Sequence, residues 1–257
     1  MFNLRFAKDY LLHSVNAKNR HGLHSPFVYR LVDTVFYDFE AKNVYTDVEK
    51  LRNGLLTDTR TITLTEPGTE NYSSKKISVV AEETLRLPKI DQLLHRVAAF
   101  LKPANMLEIS ACPGITSLYL HAGAPKANLL AWEEKPETFD IAQDTFKKAK
   151  IDTINLLTGK YDTTFLRLIN ALDKLDFVLI NSHHNSKGAL KYFELCLPKA
   201  HEKTVFIFDG IYHNKEMAQA WNKIKANPKV TVTVDIFWIG LVFFRDGQAR
   251  EDFKIKF

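Results

Sequence analysis

The chain has 257 residues, of which 46% are hydrophobic and 25% charged, and it carries a formal net charge of +5 at pH 7. That length is enough for a sizeable core, either in one α/β domain with an extra segment or in two small domains. No apolar run reaches the roughly 18–20 residues of a membrane span, and Arg5, Lys8, Asp9 and His13 interrupt the N-terminal apolar residues as a secretory leader would not allow, so a soluble, cytoplasmic protein with no membrane partner is expected. The excess charge is mild and Lys and Arg are scattered among acids, which gives no reason to expect a nucleic acid partner. Cys112 and Cys196 are the two cysteines; they lie far apart without metal-ligand spacing and suggest neither a disulfide framework nor a thiolate zinc site. Cys112 reads as a small residue filling a turn.

In chain order, Leu4–Val15 and Ser25–Phe39 read as amphipathic helices, with Gly22 turning the chain between them, Ser25 as N-cap and Pro26 at the first helical position. His21 and His24 fall beside that helix start, where capping or packing is the expected role. A third helix, Thr46–Leu56, presents Val48, Leu51 and Leu55 on one face, and Arg60–Thr65 alternates as a short strand. Glu66–Lys76, rich in Pro, Gly, Ser and charge, reads as a mobile loop. Ile77–Leu85 and Ile90–Leu101 are helical by period and are split at Pro88. This divides the chain into a helical extension and lid over residues 1–103 and a second domain over 104–257.

The second domain opens on a strand, a tight turn, a helix and a strand ending in acid. Met106–Ile109 is short and apolar, Ser110–Gly114 is small and turn-forming, Ile115–Ala122 is helical, and Leu129–Glu133 closes on the acid Glu133. In a nucleotide-type βαβ unit such a turn aims backbone N–H groups at a polar ligand, while the acid accepts from ribose hydroxyls. The turn has one glycine where a dinucleotide fingerprint asks for three, and Pro113 removes an N–H. Helices then alternate with strands: Pro136–Lys150, Thr153–Leu157, Tyr161–Leu172, Asp176–Ile180, Ser186–Leu197, Thr204–Phe208 and Lys215–Ala226. That order predicts a mainly parallel, doubly wound sheet. Val230–Phe237 and Leu241–Arg245 are too close for a crossover helix and predict an antiparallel hairpin, whose exposed edge offers a surface for a homodimer. Burial in sheet and hairpin is the expected role of Trp132, Phe237 and Trp238.

Five βα units closed by a hairpin, together with RHGLHSPFVY, LEISACPGIT, INSHH, IFDGIY, MAQAW and DIFWIGLVFF, resemble the class I S-adenosylmethionine-dependent methyltransferases, in a bacterial O-methyltransferase-like subfamily. The resemblance runs nearly end to end. It implies a seven-stranded Rossmann-like α/β sheet with a C-terminal antiparallel hairpin and an N-terminal helical extension. It also implies S-adenosylmethionine as cofactor, with Glu108, Ser110 and Gly114 near its amino-acid part, Thr116 on its carboxylate, Glu133 on its ribose and Gly159 near its adenine. The family pattern reads LELGTSLGIT, IEG, IDGNH and DDIYWS where this chain has Ser110, Glu134, Asn181, Ser182 and Gly210, with His213 and Asn214 in place of Trp-Ser. Each departure touches the rim where open α/β sheets collect functional residues.

Methyl transfer from a sulfonium is an in-line displacement, so the protein must hold donor and acceptor in attack geometry and relieve a hydroxyl acceptor of its proton. Related O-methyltransferases hold a divalent cation at the positions of Asn181, Asp209 and Gly210. Only Asp209 keeps a carboxylate, so no metal is expected. His184, matching the family's histidine after the fourth strand of the fold, then becomes the candidate base, with Asp209 and His213 beside it and His183 as an extra histidine. A softer divalent metal on these groups is the minor alternative. The resemblance implies methyl transfer to a small-molecule acceptor, through oxygen; a methyltransferase fold kept as a non-catalytic binding or scaffold protein is the alternative.

Overall fold

The computed structural model describes residues 4–65, 72–181 and 186–257. In chain order the elements are α1 (Leu4–Asn16), α2 (Pro26–Leu31), α3 (Asn43–Leu56), β1 (Thr61–Thr65), β2 (Tyr72–Lys76), α4 (Ile77–Thr84), α5 (Pro88–Leu101), β3 (Asn105–Ile109), α6 (Ile115–Gly123), β4 (Asn128–Glu133), α7 (Pro136–Ala149) and β5 (Asn155–Thr158). There follow α8 (Leu166–Ala171), β6 (Phe177–Ile180), α9 (Ser186–Cys196), β7 (Val205–Asp209), α10 (Lys215–Ala226), β8 (Val232–Asp235), β9 (Ile239–Phe243) and β10 (Glu251–Lys254).

The local signals act as expected. Ser25 caps α2, its hydroxyl accepting from Val28 N at 3.4 Å, and Pro26 opens the helix, where a missing N–H costs nothing. The helix continues to Phe36 through one wider turn of π type, Val32–Phe36. Pro88 opens α5 in the same way, and the helix ends in the left-handed Lys102.

The chain folds into two compact units that interleave in sequence. One comprises Met1–Phe39, Pro103–Ile109 and Leu166–Phe257, the other Glu40–Lys102 and Ser110–Phe165. The large sheet has the order β10-β8-β9-β7-β6-β3-β4-β5 and is mostly parallel, a Rossmann-like arrangement of eight strands. In the first unit β3, β6 and β7 are parallel, β9 runs antiparallel between β7 and β8, and β10 lies parallel to β8. Strands β3, β6 and β7 are apolar except for Asn105, Glu108 and Asp209 and have almost every residue buried, as strands covered on both faces must. In the second unit β4 and β5 pair in parallel and β1 and β2 form a separate hairpin.

Two expectations change here. The segment read as a loop over Glu66–Lys76 contributes a strand at Tyr72–Lys76, paired residue for residue with β1, while residues 66–71 lie outside the described part. The seven strands inferred by resemblance are joined by an eighth, β10, which the hydropathy pattern did not single out. Among the described residues no helix is long and apolar enough to cross a membrane.

Candidate functional site

The strand order reverses between β3 and β6, both in the first unit, and a ligand of an open α/β sheet sits beyond the C-terminal ends of the strands at such a reversal. Glu108, next to last in β3, is fully buried and accepts a hydrogen bond from Asn181 Nδ2 at 3.1 Å; Asn181 follows β6 directly, its N–H donating to Ile109 O at 3.1 Å. The register Ile180↔Phe208 of β6 and β7 then sets Asn181 and Asp209 side by side at adjacent strand ends. After Asp209 the chain turns at Gly210, whose φ of 64° lies in the left-handed region that glycine adopts without strain. Gly210 N donates to Trp238 O, and His213 N closes the turn on Gly210 O, each at 2.8 Å. Asn214 is the N-cap of α10, accepting from Met217 N at 2.7 Å. His213 is thereby left exposed on a tight turn. Residues 182–185, which include His183 and His184, lie outside the described part.

In the second unit the turn between Ser110 and α6 is tied down by its own chain. Ala111 N donates to Trp132 O at 3.1 Å, Cys112 N to Glu133 Oε2 at 3.1 Å, and Gly114 N to Ala111 O at 2.7 Å, while Pro113 has no N–H to give. The donors this turn was expected to aim at a ligand are therefore spent at Ala111, Cys112 and Gly114. Ser110 occupies the left-handed region with φ 63°, where a glycine would rest without strain. Gly114, at φ 91°, is required for a second reason: a Cβ there would meet the Phe146 ring at 2.9 Å and Ala142 O at 3.3 Å. Close packing against α7 thus fixes this glycine.

Glu133 ends β4 with 6% of its surface exposed. Besides Cys112 N, its carboxylate accepts from Thr138 Oγ1 at 2.9 Å and Lys135 N at 3.4 Å. Burial pushes its pKa above the ordinary carboxylate value, in spite of the lowering effect of these bonds and of the Lys135 charge. Burial likewise raises the Cys112 thiol, with the Glu133 charge adding to the effect, so Cys112 is an inert filler of the turn. Thr116, in the first turn of α6, donates to Asp91 Oδ1 at 2.8 Å and accepts from Arg86 Nη1 at 2.6 Å. Asp91 is fully buried and also binds Arg52 Nη2 at 2.5 Å. Arg52, Arg86 and Asp91 escaped the sequence reading because they lie on α3, before α5 and in α5, and no local pattern ties them to Thr116. Gly159, following β5 at φ 150°, brings the backbone so close to Thr164 that a Cβ would stand 2.7 Å from that side chain. Trp132 is buried against Phe165, ring centroids 5.1 Å apart, and its indole N–H has no hydrogen-bond partner among the described residues.

No family model and no curated protein matches the sequence. Solved structures do match. They include the SAH-bound methyltransferase PaMTH1 of Podospora anserina, at 14% identity over 87% of this chain and 97% of that one, with a TM-score of 0.59. An O-methyltransferase from Bacillus cereus in complex with SAH matches at 17% identity over 82% and 95% of the two chains, with a TM-score of 0.56. The O-methyltransferase TomG from Streptomyces achromogenes, involved in tomaymycin synthesis and solved with SAM, matches at 13% identity over 83% and 95%, with a TM-score of 0.57. The fold is accordingly that of the Rossmann-like, class I methyltransferases.

Proposed function

We propose that this protein is an S-adenosylmethionine-dependent methyltransferase acting on a small-molecule acceptor through oxygen. The observation that carries the reading is the acid Glu133 at the C-terminal end of β4, in a sheet whose order reverses between β3 and β6. The donor set fits the cofactor, with one redistribution. A carboxylate accepts about four hydrogen bonds and Glu133 uses three, so one acceptor position remains for a sugar hydroxyl. With the N–H groups of Ala111, Cys112 and Gly114 spent and the Thr116 hydroxyl given to Asp91, an anionic end is left to the positive end of the α6 dipole, at its first turn. The orphaned indole N–H of Trp132 is a further donor in the same unit. When bound, the cofactor supplies an electrophilic methyl group.

In this reading the cofactor is assigned to Glu108 and Asn181 of the first unit and to Ser110, Gly114, Thr116, Glu133 and Gly159 of the second, and the acceptor to Asp209 and His213, with His184 by position in the sequence. Asp209 is half-exposed at a strand end and His213 exposed four residues on, so both are reachable by an acceptor hydroxyl. A neutral histidine there takes the acceptor's proton as the oxygen attacks, and Asp209 orients it. The test is isothermal titration with S-adenosylhomocysteine, followed by methyl-transfer assays over a panel of phenolic and alcoholic acceptors. Saturable binding supports the reading, and no heat at high micromolar ligand overturns it.

A second reading, the same fold retained as a non-catalytic binding protein, draws on two observations. The turn satisfies its own N–H groups, and a neutral amide, Asn181, stands bonded to Glu108 where the resemblance implies an aspartate. Methyl transfer to any acceptor, abolished by Glu133→Ala in a folded variant, would eliminate it.

A further inference from the structure

Helix α1 has two apolar faces, and the fold uses one of them. On the inner face Phe6 and Tyr10 each stand edge-on to the Phe237 ring, centroids 5.0 Å apart, and both lean on Trp238, at 6.0 and 6.3 Å. His13, one turn on, is buried and pairs with Asp235 at 3.1 Å, and Arg5 Nη2 donates to Tyr212 O at 3.0 Å. The helix is therefore held along its length to the segments that follow β7 and β8. The outer face is a different stripe. Leu4, Lys8, Leu11, Leu12 and Val15 follow the spacing i, i+4, i+7, i+8, i+11 that sets side chains one above another on a single side of a helix. Its four aliphatic residues are between 51% and 81% exposed. Single apolar residues scattered over a surface are ordinary, but a contiguous exposed stripe marks an interaction surface.

The charges on α1 decide what covers that stripe. Lys8 stands exposed in its middle, and among the described residues its ammonium is in no salt bridge. Asp9, the one acid of the helix, lies off the stripe and is taken by Arg5 Nη1 at 3.0 Å. A second copy packed on the same stripe would bury two ammonium groups with no carboxylate from either stripe to meet them, and burying an unpaired charge is costly. The stripe alone is also too small for such a contact, since a stable interface takes about 800 Å² from each partner and four aliphatic side chains fall well short of that. An anionic lipid surface meets both conditions. The aliphatic side chains enter the boundary between headgroups and acyl chains, while the lysine stem lies along them and carries its ammonium out to the headgroup charges. The formal charge of +5 on the chain adds a general attraction to such a surface. The expectation of no membrane partner rested on the lack of a membrane span and of a secretory leader; an interfacial helix lies in the plane of the headgroups and needs neither.

We propose that the outer face of α1 docks this protein on an anionic lipid surface. The proposal stands apart from the methyltransferase reading, because no residue of the stripe belongs to that site. The test is flotation of the full chain with vesicles of phosphatidylcholine alone and of phosphatidylcholine mixed with an equal share of phosphatidylglycerol, at low and at high salt. The chain should float with the mixed vesicles at low salt, less at high salt, where screening removes the headgroup attraction, and scarcely with phosphatidylcholine alone. The double variant Leu11→Ser/Val15→Ser should weaken binding to the mixed vesicles by about tenfold or more, because aliphatic surface no longer leaves water on docking. Lys8→Glu changes the charge facing the lipid by two units and should weaken it roughly 30-fold. Lys203→Glu makes the same change on an exposed side chain just before β7, at the opposite end of that strand from Tyr212, and should leave binding unchanged. All three variants alter exposed side chains, and circular dichroism spectra like that of the parent show them folded. Absence of flotation with the mixed vesicles, equal flotation with phosphatidylcholine alone, or equal weakening by Lys203→Glu overturns the proposal. So does a lipid-free dimer in sedimentation velocity that Leu11→Ser/Val15→Ser dissociates, since the stripe would then belong to a second copy.

Discussion

Replacing Glu133 by glutamine tests the cofactor reading most directly, because the side chain has both a structural and a proposed binding role and the substitution separates them. In the folded chain the carboxylate satisfies the N–H of Cys112, the hydroxyl of Thr138 and, at 3.4 Å, the N–H of Lys135. Thr138 has a second acceptor in Lys135 O at 3.1 Å, so the donor that depends most on Glu133 is Cys112 N–H. A glutamine carbonyl can take over that bond, and the expected loss of stability is about 0.5–1.5 kcal/mol, that of one ordinary hydrogen bond. The burial that raises the carboxyl pKa works in the opposite direction. A folded-state pKa above the unfolded one means that the native state holds its proton more tightly, so parent stability falls as pH rises from the unfolded value, about 4.3, through the raised folded value. Glu133→Gln should abolish that fall, and urea titrations from pH 4 to 8 would show a flatter profile for the variant. Binding should respond far more: loss of a charge-assisted bond to a ribose hydroxyl costs about 1.5–3 kcal/mol, or roughly 10- to 150-fold in affinity for S-adenosylhomocysteine. If the variant binds S-adenosylhomocysteine as tightly as the parent, Glu133 only braces the turn and the assignment of this acid to the sugar is wrong.

Asp235→Ala removes the common acceptor of His13, Tyr212 and Phe237 N and should destabilise by about 1–3 kcal/mol or more in urea denaturation, the range for leaving a buried donor unsatisfied. Burial tends to raise the Asp235 carboxyl, but the bonds from His13, Tyr212 and Phe237 N–H outweigh it and hold it below the ordinary value; its contribution should be full above about pH 4 and lost as pH falls through the lowered value, leaving the variant less acid-sensitive than the parent. Gly114→Ala forces a side chain into the left-handed region and onto the Phe146 ring, so a loss of about 1–2 kcal/mol from the backbone alone should appear as a lowered thermal midpoint. Arg52→Met takes from the buried Asp91 its shorter ion pair and leaves it to Arg86; a loss of about 3–5 kcal/mol is expected, and a change below 1 kcal/mol would show that the network is not cohesive.

The central architecture was legible because a strand covered on both faces is an apolar run in any context. Met106–Ile109, Phe177–Ile180 and Thr204–Phe208 announce themselves, and the few residues between β8 and β9 allow no crossover, which made the hairpin readable. Strand β2 gave no such signal: Tyr72–Lys76 is polar, and pairing with β1 makes it a strand. For β10 the alternation of Phe253 with Ile255 was present but short, and its parallel register with β8 depends on a segment some twenty residues earlier. At the candidate site the positions of Glu108, Asn181, Asp209 and Glu133 at strand ends followed from the strands themselves. Their hydrogen-bond partners did not: Thr116 is engaged by Arg86, 30 residues before it, and by Asp91, 25 residues before it.

The sequence by itself determined seven of the eight strands of the mainly parallel sheet and the helices between them, and that an acid closes β4. Hydropathy period and turn chemistry are properties of a few neighbouring residues, and they survive without knowledge of the rest of the chain. Only the tertiary structure decided that Glu133 spends three of its acceptor positions on its own chain and that Thr116 belongs to a buried network of Arg52, Arg86 and Asp91. Those outcomes depend on which distant groups share a low-dielectric space, where a polar group takes whatever partner the packing brings within reach.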